Sequence, residues 1–131
     1  MSETAIKAAS GQEPPTVRGP DYLERYAQII RFELSTIDLK LVFGSMDQFA
    51  IPATLRQHTG ITITWQQAKI LAYFIVLNIQ LHEAVNGKVP VPTGIIPEAF
   101  DVKAFEQAVG KTVSSKISAM AEQVRSELFG V

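Results

Sequence analysis

Cysteine is absent from the 131 residues. That removes disulfides, thiolate nucleophiles and zinc ribbons at once. Histidine is scarce, with two copies. His58 has no neighbouring carboxylate in sequence, and His82, although followed by Glu83, lacks a second histidine at the spacing of a zincin helix. The eight glycines are isolated, so no phosphate-cradling loop exists, and no Gly-x-Ser-x-Gly nucleophile elbow occurs. Neither sign of charge dominates: 12 basic and 13 acidic residues give a net charge of −1. Six basic and seven acidic residues lie up to Trp65, and six of each lie beyond it. There is no basic half to hold nucleic acid. Long apolar runs are missing too. Ile70 to Leu77 is the longest and stops at Asn78, short of the roughly 20 residues a bilayer span needs. Met1 to Pro20 lacks the apolar segment of a secretory signal, so a cytoplasmic protein is expected. These absences lead to an expectation of no enzyme activity, no cofactor, no metal, no nucleic acid and no membrane.

What is present is a globular composition, 47% apolar in 14.4 kDa, enough for one domain. Residues 1–20 combine Gly11, Pro14, Pro15, Gly19 and Pro20 with polar neighbours and read as a disordered tail. From Asp21 the pattern changes. Ile30, Phe32 and Leu34 alternate with Arg31 and Glu33, and Leu39, Leu41 and Phe43 alternate with Asp38 and Lys40. Period two with branched and aromatic residues means half-buried strands. Ser35-Thr36 reads either as a tight connection or as a bulge. Pro52 is barred from a central strand, so residues 44–54 are expected to be irregular. Ile61, Ile63 and Trp65 alternate with Thr62 and Thr64, which makes a third strand. Tyr22 to Ile29 could supply a fourth. Arg31, Lys40 and Arg56 sit among Phe32 and Phe43, yet with charges balanced the aromatics fit a core rather than a base-stacking platform. Glu33 and Asp38, alternating with apolar residues, read as a solvated face.

The clearest element follows. Thr64-Trp65-Gln66-Gln67 fits a capping box, and Gly87 fits a left-handed helix cap, so a helix is expected over residues 66–86. Its middle is apolar on nearly every side, which demands burial on nearly every side. One face can cover the sheet. A second copy of the chain is expected on the other, with Leu71, Phe74, Ile75 and Asn78 at the interface. Pro90, Pro92, Gly94 and Pro97 then mark an extended connector. Beyond it, Val102, Phe105, Val109, Val113, Ile117, Met120, Val124 and Leu128 recur every three or four residues, predicting an amphipathic helix weakened near Gly110. Phe105, Val109, Met120 and Val124 are its candidate partner-contact residues; packing on its own domain is the other reading. The fold class expected is α+β: an antiparallel three- to four-stranded sheet, a long buried helix and a C-terminal amphipathic helix. The expected divisions are 1–20, then 21–97, then 98–131 as a terminal helix of the same domain.

Two resemblances run through these residues. Leu39 to Gly44, Thr64-Trp65-Gln66-Gln67-Ala68-Lys69, Asn78-Ile79, His82-Glu83 and Gly87-Lys88-Val89 together resemble family 3467 of the bacterial domains of unknown function, over roughly Thr36 to Pro92. The chain departs from that pattern at Trp65, where proline is common, and at His82, where an aromatic is common. The resemblance implies a β-rich half followed by a long helix, and no activity. More faintly, the order of sheet, long helix, Gly/Pro connector and terminal helix, with Pro97-Glu98-Ala99-Phe100-Asp101 before the last helix, is similar to the SecB family of export chaperones. That likeness implies a tetrameric holdase that binds unfolded chains in apolar grooves. The function expected is therefore a homo-oligomeric, non-enzymatic interaction or assembly module. Its expected partners are itself, as a dimer or tetramer, and another protein or an unfolded polypeptide.

Overall fold

The computed structural model describes residues 13–99 and 101–131, with the side chains of Ala104 and Phe105 outside the description. The fold is α+β. Strands β1 (Ile29–Leu34), β2 (Asp38–Asp47) and β3 (Thr54–Thr64) are followed by helix α1 (Trp65–Asn86), a single 3₁₀ turn at Thr93–Ile95 and helix α2 (Lys103–Phe129). The chain divides into two compact units, one ending at Ala72 and one beginning at Tyr73, so the boundary falls within α1.

The first unit is an antiparallel meander in the order β1-β2-β3. Tyr22 to Gln28 adds no fourth strand: the segment is irregular, and among its described backbone amides that of Gln28 donates to the sheet, to Gly44 O at 3.0 Å. The β1–β2 connection is a tight turn rather than a bulge. The Ser35 hydroxyl accepts from the amides of Ile37 and Asp38 and donates to the Asp38 carboxylate at 2.9 Å. Such side-chain capture of turn amides is a recurrent use of serine. Irregular backbone is confined to residues 48–53, shorter than the 44–54 expected, because β2 runs on to Asp47 and carries Gly44 through the ladder. The bulge lies in β3 instead. Phe43 pairs with Thr59 and Gly44 with Gln57, leaving His58 as an extra residue between them. The close approach there requires a glycine: a Cβ on Gly44 would lie 2.5 Å from the Arg56 carbonyl oxygen.

Cross-strand register separates two faces. Ile30–Phe43, Phe32–Leu41, Leu34–Leu39, Leu39–Ile63 and Leu41–Ile61 pair on one face. Arg31–Val42, Glu33–Lys40 and Lys40–Thr62 pair on the other, where Lys40 and Glu33 also form an ion pair at 3.7 Å. Val42 is the single buried apolar side chain among the described residues. The expected tail is described only in part. Residues 1–12 lie outside the described residues, and 13–19 are exposed and without regular structure.

In the second unit, α1 ends at Gly87, whose φ of 87° is the left-handed conformation expected of it, and the Gly87 amide donates to Glu83 O at 2.9 Å. The expected weakness in α2 is a true interruption: Gly110 sits at φ 83°, ψ 167°, outside helical space. The most shielded side of α2 is not centred on the apolar stripe, of which only Ile117 is partly covered beyond Gly110. Ser114 is buried, with Ser118, Ala121 and Arg125 partly covered, and the Arg125 guanidinium donates to Pro97 O at 2.8 Å. The connector is thus tied to the small-residue side of α2. Phe100 of the Pro97–Asp101 segment lies outside the described residues.

Candidate interaction surface

The start of α1 is built as its residues require. The Thr64 hydroxyl accepts from the Gln67 amide at 3.1 Å, and the Gln67 side chain accepts from the Thr64 amide at 3.2 Å, the reciprocal capping box. The Trp65 indole nitrogen donates to Ser35 O at 3.0 Å, pinning the first turn to the β1–β2 turn. β3 ends at Thr64 and α1 begins at Trp65, so no loop separates strand from helix.

Beyond this anchored start, the helix expected to be buried is open along its length. None of its 22 residues is buried. Ile70, Phe74, Leu77, Leu81 and Val85 follow one another at steps of four, three, four and four, which places them in one stripe. Ile70 is 58% exposed, Phe74 51%, Leu81 55% and Val85 82%. Of the four expected interface residues, Phe74 lies in this stripe, Leu71 and Asn78 border it, and Ile75 lies further round. All four are exposed. Asn78 uses its amide locally, donating to Phe74 O at 2.7 Å, and Asn86 does the same to His82 O at 3.2 Å. By length and composition α1 also meets the requirement for a membrane-crossing helix, with a mean hydropathy of 1.3 over its best window.

The other expected contact residues lie on α2. Val109, Met120 and Val124 are exposed along the apolar stripe, while the side chain of Phe105 lies outside the described residues.

Two further apolar surfaces are exposed that the sequence pattern does not mark as contact surfaces. One is the sheet face of Ile30, Phe32, Leu34 and Ile61, all exposed. Alternation identifies such a face but reads it as core, since nothing in the spacing says whether a cover exists. The second is the β2–β3 tip, where Phe49 is 97% and Ile51 99% exposed. Its base is braced. Asp47 accepts from the amides of Phe49 and Ala50 and from the Arg56 guanidinium, the last at 2.9 Å. These contacts hold the Asp47 carboxyl below the usual carboxylate range, the Arg56 hydrogen bond first and the Phe49 amide next.

Among the described residues no three His, Asp or Glu side chains gather into a metal-binding group. A trough of about 520 Å³ runs beside the sheet, bordered by Asp21, Arg25, Phe43, His58 and Ile61. His58 Nδ1 pairs with the Thr59 hydroxyl at 2.8 Å. Its Nε2 is closed off from solvent and has no partner among the described residues. What the two units offer in abundance is uncovered apolar surface. Compared with known proteins, the chain matches no family model, no curated protein and no solved structure.

Proposed function

We propose that the chain is a non-enzymatic assembly module that acts as a homo-oligomer, with α1 at the core of the contact between copies. One observation carries this reading: a 22-residue helix rich in Ile, Leu, Phe and Val has no buried residue in the single chain. Its exposed large apolar side chains present on the order of 1,000 Å² to solvent. The largest apolar patch of a monomer is about 300–600 Å², and each partner of a standard interface contributes about 800 Å². Leaving that area wet costs about 25 cal/mol per Å².

A protein surface suits α1 better than a bilayer does. Lys69 and Glu83 bracket the apolar centre. The helix between them is about 20 Å long at 1.5 Å per residue, short of the roughly 30 Å hydrocarbon core. Asn78 and Gln80 add polar groups within that stretch. The reading therefore keeps the module in water, in the cytoplasm.

The test is the mass of the full chain by light scattering after gel filtration. A multiple of 14.4 kDa is expected; a monomer at all concentrations overturns the proposal. Phe74→Asp is expected to abolish assembly or folding, because it places a charge in a dry contact. A soluble, full-sized oligomer from that variant counts against α1. One feature favours a second reading, a SecB-like holdase: the braced tip carrying Phe49 and Ile51 offers apolar side chains away from α1. Capture of a broad spread of unfolded chains, rather than one folded partner, supports the holdase.

A further inference from the structure

Two apolar surfaces need cover, and the chain's own connectivity limits what can supply it. The stripe of Ile70, Phe74, Leu77, Leu81 and Val85 is one. The sheet face of Ile30, Phe32, Leu34 and Ile61 is the other. Helix on sheet is the ordinary way for both to be buried. Within one chain, however, a helix that turns back over its sheet needs a connection of about two to six residues. Here β3 passes into α1 with none, and the Trp65–Ser35 hydrogen bond fixes the first turn at the sheet's end.

Resting on the assembly reading above, we infer that the two surfaces cover each other between copies: the Ile70–Val85 stripe of one chain seats on the Ile30–Phe32–Leu34 face of a second copy, and the reverse. The occupant of the sheet face is thus α1 of another identical chain. Area supports the exchange. Most of the stripe and all of the sheet face are about half exposed or more. A dimer that pairs helix with helix, or sheet with sheet, leaves the other surface of both chains in water. Reciprocal seating buries both surfaces on both chains, so it removes more apolar area from water than either alternative and moves the contact toward the roughly 2,000 Å² where obligate homodimers begin. It also satisfies two-fold symmetry, since the same pair of patches is used twice.

The absence of cysteine makes the test clean. Two differently tagged chains are co-expressed, one carrying Phe32→Cys and the other Phe74→Cys, and the purified mixture is mildly oxidised. A disulfide between the two tags is expected as the main product, and it can form only between chains. Ile30→Cys with Leu81→Cys and Leu34→Cys with Ile70→Cys serve as further pairs, so that one variant failing to fold does not decide the matter. An oligomer by light scattering in which none of the pairs links, or in which Phe74→Cys links mainly to itself, overturns the exchanged seating and leaves assembly standing. A mixture that is monomeric, like the unsubstituted chain, overturns both.

Discussion

Asp47 shows how much one side chain can organise. Its carboxylate gathers two loop amides and the Arg56 guanidinium, and so holds Phe49 and Ile51 out in water on a defined turn. Because its folded value is lowered, the sign of the pH effect is fixed. The carboxylate stabilises the tip at any pH above the ordinary aspartate value of about 3.9, and that contribution fades as the pH falls through the lower folded value. In an acid titration followed by NMR, the amides of Phe49 and Ala50 are expected to shift with a midpoint below that of an unperturbed aspartate. Arg56→Ala is expected to move the midpoint upward, since the largest lowering contact is gone; an unmoved midpoint refutes the assignment. At this scale the sequence was legible where a residue acts on its near neighbours. Thr64, Gln67, Gly87 and Pro52 all occupy the places their chemistry demands. It was silent where partners are remote. Nothing near His58 marks it as the bulged residue, and Gly44 is explained only by the carbonyl of Arg56, twelve positions on.

Elements follow from period and punctuation. Three runs of alternation became three strands, and one capped apolar run became α1. The cap can be weighed directly. Thr64→Ala removes the hydroxyl that accepts from the Gln67 amide and is expected to cost about 1 kcal/mol, read by chemical denaturation at fixed protein concentration. An effect near zero means the helix is held by packing alone. The expected fourth strand failed because Tyr22 to Gln28, despite its aromatics, lacks strict alternation and finds no ladder beyond Gln28. In α2 the period predicts the helix and its apolar stripe, but not which side of the helix is shielded. The apolar stripe through Val109, Val113, Met120 and Val124 stays exposed, and the covered side runs through Ser114 and Arg125. Small residues allow close backbone approach and attract little notice in a hydropathy pattern. Gly110 divides the helix with a backbone conformation open to glycine almost alone.

For the whole molecule, the fold class and the order of elements could be read from the chain, and the candidate surface only in part. Leu71, Phe74, Ile75 and Asn78 are exposed on α1, and the sheet face that alternation reads as core is exposed too. Periodicity reports which side chains share a face; it carries no information on whether the cover is intramolecular. In the exchanged seating inferred above the connection between elements carries it, and here that connection has zero length. On that inference the junction is a ruler that sets copy number. A spacer of about five glycine and serine residues between Ile63 and Thr64 keeps the capping box and gives α1 the slack to turn back on the sheet of its own chain. Such a chain is expected to become a monomer of unchanged helix content, by light scattering and circular dichroism. An oligomer that persists with the spacer shows that slack was never the obstacle. On this view stoichiometry in this protein is written neither in a charge pattern nor in a binding motif, but in residues that are missing between a threonine and a tryptophan.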